Sequence, residues 1–293
     1  MHSKIGSGER AFVVTIYVLL SALVIVTLYP LLYVAFASFS DSSQLIAHRG
    51  FMYKPLGFSL EAYKSVFNNP GIIKGYGNTL FILVAGVTLN LFLTAIAAYV
   101  LSRRNVMWNN MFTILIVFTM FFHGGLVPLY LVVKGAGLID SLWATIIPFA
   151  VSTFNLIIMR TSFQAIPESL EESAKIDGAN HLTILFRIVL PLSMPVVAVM
   201  ILYYAVEKWN AWFYASIFLK DRNLFPLQLV LREILIANST DTMTSGASSG
   251  DQFKIGETIK YATIMVATVP ILVVYPFVQK YFVKGVMIGA VKG

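Results

Sequence analysis

The sequence predicts an all-α integral membrane protein with six transmembrane helices, and three observations carry that prediction. Of 293 residues, 58% are hydrophobic and only 12% are charged, whereas a soluble domain carries about a quarter charged residues. The apolar residues are gathered into six windows free of Asp, Glu, Lys and Arg: 11–40, 75–102, 105–133, 141–159, 188–206 and 261–279. Each approaches or exceeds the ~20 residues a helix needs to cross a ~30 Å hydrocarbon layer. None shows the alternating polarity of a barrel strand, and helices are the other structure that satisfies its own backbone in lipid. One transmembrane domain, 1–293, follows, with spans at about 11–40, 75–102, 105–133, 141–159, 188–219 and 261–282.

The first window follows Lys4 and Arg10 and runs for 30 residues. That is too long for a cleaved leader, whose apolar region is about 7–15 residues. An uncleaved anchor fits, with Pro30 marking a kink or break near its outer end. The connection 41–74 is long and mixed in charge. The next turn, Ser102-Arg103-Arg104-Asn105, is short and basic, and Lys134 to Ser141 is a glycine-containing turn. The fourth connection, about 160–187, is acidic and helix-like. The fifth, about 220–260, carries the Ser/Thr/Gly-rich stretch 238–250, flexible by composition. With the N-terminus inside, ten lysines and arginines fall on each side. Arg103-Arg104 and the basic tail after 280 lie close to span ends, where the positive-inside rule has most weight, so both ends are expected in the cytoplasm.

Several chemistries lose their residues. Cysteine is absent and the four histidines are scattered, so no thiolate or clustered-histidine metal site is expected. The net charge of +7 comes without a Lys/Arg run of five or more, and nucleic acid is discounted as a partner. No GxxxxGK[ST] phosphate loop occurs, so the chain is not expected to hydrolyse ATP or to bind a cofactor of its own.

The fourth connection reads IPESLEESAKIDGANHLTILFRIVLP over 166–191. Pro167 suits a first helical position, and Glu168, Glu171 and Glu172 complement a helix N-terminus. Glu171 and Lys175 stand i,i+4 in the favourable order. Gly178 is a natural stop, free to take the left-handed conformation. Leu182, Leu185, Phe186 and Val189 then share a face at helical spacing, and Pro191 and Pro195 bend the chain into the fifth span. This helix–Gly–helix element suits a cytoplasmic cap on the bundle or a protein docking surface. Its acidity makes a lipid-facing role the poorer fit.

This stretch resembles the EAA loop of permease subunits of ATP-binding-cassette importers. The matching residues are Glu172, Ala174, Asp177, Gly178, Ala179, Ile188, Leu190 and Pro191, with Ser173 where the family usually has alanine. The segments 78–104, 123–138 (HGGLVPLYLVVKGAGL), 154–160 (FNLIIMR), 208–219 (KWNAWFYASIFL) and 279–293 (QKYFVKGVMIGAVKG) resemble the carbohydrate-type permeases of the maltose-importer group. They are closest to a branch that imports oligosaccharides, including alginate-like uronic oligomers. His123 stands where that branch more often has a small polar residue.

The resemblance implies a type I importer permease in the bacterial inner membrane, translocating oligosaccharide by alternating access. It implies that Glu171, Glu172, Ser173, Ala174, Asp177, Gly178, Ala179, Leu190 and Pro191 couple the chain to an ATPase. The implied partners are a second homologous permease, two ATPase subunits that hold ATP and Mg, an extracytoplasmic solute-binding protein, and membrane lipid. The outward stretch containing Asn238, Ser239, Thr240, Ser245, Gly246 and Ser248 would reach the binding protein, or is simply an exposed loop.

Polar residues within spans are candidates for the substrate path: Asn90, His123, Asn155 and Asn210, with Trp209 and Trp212 as stacking surfaces for sugar rings. Each has a plainer role available, as a helix–helix hydrogen bond or an interfacial aromatic. Glu207 and Lys208 are adjacent and point about 100° apart on a helix, lining a vestibule or snorkelling. Arg49, Lys54, Lys64 and Lys74 on the outer connection would suit an anionic sugar. A secondary transporter or channel acting alone would be expected to show internal repeats or intramembrane acids. The six windows hold none of the latter. A permease for a non-sugar solute is the remaining alternative within the importer class.

Overall fold

The computed structural model describes residues 7–103, 105–236 and 258–276. Named from the N-terminus, the helices are α1 (Ser7–Ser38), α2 (Ser42–Ala47), α3 (Glu61–Asn68), α4 (Pro70–Ser102), α5 (Asn109–Phe121), α6 (Leu126–Gly135) and α7 (Thr153–Gln164). They continue with α8 (Glu168–Ile176), α9 (His181–Ile184), α10 (Leu190–Leu192), α11 (Met194–Asn210), α12 (Phe213–Phe218), α13 (Leu227–Ile236) and α14 (Thr258–Pro276). A π-helical stretch, Leu185–Val189, joins α9 to α10.

Among the described residues, α1, α4 and α14 are each long and apolar enough to cross a membrane. Three further pairs qualify only when each is taken together across a bend. They are α5 with α6 (116°), the stretch Leu142–Phe149 with α7 (49°), and His181–Leu192 with α11 (88°). Six is therefore the largest number of spans these helices supply. The breaks have local causes. Gly124 and Gly125 part α5 from α6, with Gly125 at φ +88°, a conformation open to glycine without a Cβ clash. Pro191 and Pro195 flank the turn into α11, each removing a backbone donor. Pro30, by contrast, does not end α1, which runs 32 residues through it; a membrane helix tolerates such a residue where neighbouring groups take up the freed carbonyl.

The chain divides into two compact units. One comprises residues 1–69 and 233–269. Its small core is Ala37, Leu45 and Met52, with Tyr33, Phe36, Leu56 and Tyr261 packed around it. Asp41 caps α2, its Oδ1 accepting from the N–H groups of Ser43 (3.1 Å) and Gln44 (3.2 Å) and from the Ser43 hydroxyl. Those donors hold its carboxyl below the usual range, the Ser43 hydroxyl first among them. Along α1 the exposed face is apolar almost throughout, which in a membrane protein is the surface offered to lipid or to another helix.

The other unit comprises residues 70–232 and 270–293, and α4 is its mast. It packs most extensively on α7 and α11. Its buried side mixes large apolar residues such as Ile82, Tyr99 and Leu101 with Gly75, Thr79, Gly86, Asn90, Thr94, Ala95 and Ala98, and the small and polar ones let helices approach closely and hydrogen-bond across the contact. The buried Tyr204 hydroxyl of α11 shares a 2.7 Å hydrogen bond with Thr94 and accepts from the Ser152 N–H at 3.2 Å, so one atom joins α4, α7 and α11. At the start of α4, Lys74 donates to Asn223 Oδ1 (2.7 Å), and Asn78 donates to the carbonyls of Asn223 (2.7 Å) and Phe225 (3.0 Å). Near by in the chain, Asp140 takes φ +62° and its Oδ1 accepts the N–H groups of Lys220 and Asp221, both at 2.9 Å. Those two amides keep its carboxyl below the usual range.

Candidate functional site

The acidic connection folds as a two-helix element whose turn is set by Gly178. This glycine has φ +79°, and the N–H of Ala179 reaches back to Ala174 O at 2.9 Å, closing α8 as a glycine C-cap does. The next helix is then opened by Asn180, whose Oδ1 accepts the Thr183 N–H at 2.8 Å. Pro167 stands at the N-cap, one residue before the first helical position expected of it.

On α8 the two adjacent glutamates part company. Glu172 is exposed, together with Ser173, Lys175, Asp177 and Gly178, while Ala174 and Ala179 pack against the core of the unit. Glu171 turns inward instead, with 4% of its surface exposed, and forms an ion pair with Arg103 at the end of α4. The pairing of Glu171 with Lys175 expected from their spacing gives way to this longer-range partner. A buried carboxylate gains more from a desolvated guanidinium than from an ammonium that can stay in water. Arg103 also lies over the Tyr99 ring, 4.6 Å from its centroid, and the Tyr99 hydroxyl meets His181 Nδ1 at 3.1 Å. Arg160 Nε donates to Leu101 O at 2.8 Å, and Asn109 donates to the carbonyls of Leu101 (3.1 Å) and Arg103 (2.7 Å). The end of α4, the start of α5, the end of α7 and the acidic helix are thereby tied at one place. A polar cleft of about 420 Å³ opens beside the pair, between Ser102 and Arg103 on one side and Glu168 and Glu172 on the other.

The surface α8 presents is acidic with one conspicuous apolar residue: Ile176 is 87% exposed, next to Asp177 and the turn glycine. Following it, Leu182, Leu185, Phe186 and Val189 do not share one buried face. Ile184, Leu185 and Val189 enter the core, whereas Leu182 and Phe186 are exposed. The π-helical stretch adds one residue to the turn and so rotates the following side chains off the 3.6-residue register. Leu190 is half-buried and Pro191 exposed.

The residues named for a substrate path are dispersed. Asn90 is fully buried, and its amide nitrogen, assigned to face the carbonyls, donates to Gly86 O (2.8 Å) and Ala150 O (3.3 Å). It ties α4 to the turn before α7. Asn155 is buried on the first turn of α7, capped by Ser152. Asn210 returns its amide to its own helix, donating to Val206 O at 2.8 Å. His123 lies exposed at the break between α5 and α6. Trp209 is buried, its ring edge-on to Tyr76 at 6.4 Å, so it offers no open stacking face. Trp212 already carries Arg232 over its ring at 4.0 Å. Of the named residues, Asn210 and Trp212 come together, in a cleft of about 270 Å³ where α11 breaks before α12. Lys208, Thr145 and Phe149 share that cleft. Asn238, Ser239, Thr240, Ser245, Gly246, Ser248, Arg104 and the tail after 276 lie outside the described residues.

The Arg103–Glu171 pair was absent from the sequence reading. Its only signal is that Arg103 ends one charge-free window and Glu171 lies in the first turn of an acidic helix. Nothing in their 68-residue separation announces a contact.

Known proteins bear directly on this arrangement. The chain is 44% identical to Protein LplC of Bacillus subtilis (strain 168) over 293 residues, which is 100% of this chain and 98% of that protein. It is also 44% identical, over 290 residues, to the polygalacturonan/rhamnogalacturonan transport system permease protein YtcP of the same organism, covering 97% of this chain and 99% of the other. Among solved structures it matches a chain from a bacterial ABC transporter involved in the import of the acidic polysaccharide alginate. The TM-score is 0.87 at 31% identity, over 96% of this chain and 99% of that one. Such permeases are the non-enzymatic membrane subunits of importers whose ATPase is separate, which accords with the missing phosphate loop. The model of the binding-protein-dependent transport system inner membrane component matches residues 82–288, and the chain belongs to that family.

Proposed function

We propose that this chain is one half of the translocation path of an importer for acidic oligosaccharides, uronate oligomers of the pectin and alginate type. The observation that carries the substrate class is the whole-length likeness to a permease named for polygalacturonan and rhamnogalacturonan, joined by the structural likeness to an importer of an acidic polysaccharide. Polygalacturonan and alginate are built of uronate units and rhamnogalacturonan carries a carboxylate on each galacturonate, so a shared path must accept repeated negative charge.

The acidic helix α8, with exposed Glu172 and Ile176 beside the Gly178 turn, docks into an ATPase subunit. Two such subunits bind ATP and Mg, and their closure moves α8. The pair Arg103–Glu171 passes that motion to α4, the helix on which α7 and α11 pack. A second, similar permease completes the cavity, since one bundle of at most six spans supplies half of its wall. Both chain ends face the cytoplasm, and a solute-binding protein delivers sugar from outside to the connections 41–74 and 220–260.

The test is purification of the tagged chain in mild detergent from its native membrane, followed by reconstitution of what accompanies it. A second hydrophobic subunit and an ATPase are expected, and the reconstituted complex with its binding protein imports trigalacturonate when ATP is inside. Import of neutral oligosaccharides in preference to the uronate would overturn the substrate class.

A further inference from the structure

The cleft at the break of α11 holds a buried lysine that forms no ion pair among the described residues. Lys208 lies on the last turn of α11 with 3% of its surface exposed. Its ammonium donates one long hydrogen bond, 3.4 Å, to the Thr145 carbonyl, and it stands 5.6 Å from the centre of the Phe149 ring. An ammonium has three protons to donate, and the structure gives an acceptor for one. No acidic side chain forms an ion pair with it among the described residues. Glu207, its neighbour, is exposed and about 100° away around the helix, at the solvent side of the same cleft, without forming an ion pair with it.

A lysine near a helix end ordinarily snorkels its charge to water along a flexible stem. Here the stem is received by a notch. A Cβ placed on Gly86 of α4 would lie 3.3 Å from Lys208 Cε and 3.5 Å from Cδ, so a side chain at 86 would press the stem a few tenths of an ångström away from α4. The charge is directed inward at a cost that membrane proteins accept where the group has work to do.

The surroundings indicate what it meets. Thr145, Phe149, Glu207, Asn210, Trp212 and Tyr214 line the same cleft of about 270 Å³. The backbone there is broken, since α11 ends at Asn210, Ala211 is extended, and α12 begins at Phe213. Irregular backbone at membrane depth is tolerated where it borders a cavity. A desolvated cation beside aromatic rings is chemistry that meets a sugar ring bearing a carboxylate, and Arg232 over the Trp212 ring adds a second positive group to that side of the cleft.

We infer that Lys208 is the charge-selecting residue of this permease, pairing through its ammonium with a carboxylate of the passing oligosaccharide while Gly86 keeps the stem turned inward. This rests on the acidic-sugar reading above, and the experiment separates the two. In proteoliposomes holding the full importer and its binding protein, import of trigalacturonate and of its fully methyl-esterified, neutral counterpart is compared for the parent complex, Lys208→Gln, Lys208→Arg and Gly86→Ala. Loss of one charge-assisted contact corresponds to a fall of about ten- to a hundredfold in uronate import. That fall is expected for Lys208→Gln, with a smaller one for Gly86→Ala and near-retention for Lys208→Arg.

A parent complex that prefers the neutral ester defeats the acidic-sugar reading, and this inference with it. A parent complex that prefers the uronate, with all variants unchanged, leaves that reading standing and overturns the role of Lys208. Beyond Glu207 in the same cleft, the ammonium's other source of a carboxylate is an Asp or Glu of the second permease. In that case Lys208→Gln loses the second permease on co-purification while Gly86→Ala keeps full uronate selectivity, and the inference is again overturned.

Discussion

Of the ion pair, Arg103 has 12% of its side chain exposed and Glu171 5%. Charges so placed are costly alone, and removing one partner of a buried pair typically costs about 3–5 kcal/mol because the other is stranded. Two of the Arg103 nitrogens have no hydrogen-bond partner among the described residues, so the Glu171 carboxylate and the Tyr99 ring face carry most of its compensation. Glu171→Ala and Arg103→Ala are each expected to lower the thermal midpoint of the detergent-solubilised chain clearly. The double variant should lose less than the two together, as residues in direct contact do. Midpoints that add independently would show that the pair contributes no coupling. Glu172, one position along, is exposed, and Glu172→Ala should leave the midpoint nearly unmoved.

The acidic helix–Gly–helix element has a different sensitivity. Its geometry depends on a left-handed residue at 178, a conformation proline does not reach because its ring fixes φ near −65°. Gly178→Pro should leave the chain inserted in the membrane yet abolish substrate-stimulated ATPase activity of the assembled importer. Glu172→Lys, which reverses an exposed charge without touching the fold, should uncouple it as well. Normal stimulation in both variants would remove α8 from the coupling path. Within this element the capping residues, the glycine stop and the helical spacing were readable in advance, since each is a local backbone preference. The inward turn of Glu171 was not, because i,i+4 spacing offered Lys175 as a partner and only the approach of α4 supplied a better one. Nor was the split of Leu182 and Phe186 from Leu185 and Val189, which is decided by which side of the element the core of the unit packs against.

For the molecule as a whole, the natural absence of cysteine makes sidedness directly measurable. With both ends in the cytoplasm, Ile176→Cys should react with a membrane-impermeant maleimide only from the cytoplasmic face. Asn223→Cys, in the turn held by Lys74 and Asn78, should react only from outside. Labelling of both from one face would refute the topology. The membrane character, the approximate number of spans and the family were legible in the linear chain because hydrophobic transfer scales with the apolar content of a window, which needs no knowledge of neighbours. The bend into the fifth span was legible in Pro191 and Pro195, whereas the break at Gly124-Gly125 was written in the chain but lay inside a window free of charge that read straight through it. What the chain order concealed was pairing across distance. Asn90 and Asn155 stand in spans like substrate-facing residues, yet Asn90 spends its amide on Gly86 and Ala150, while Lys208, an unremarkable charge at the end of a window, is buried against the notch at Gly86. A polar side chain's task depends on which donors and acceptors come within about 3 Å of it, and that is settled when α4, α7 and α11 pack together.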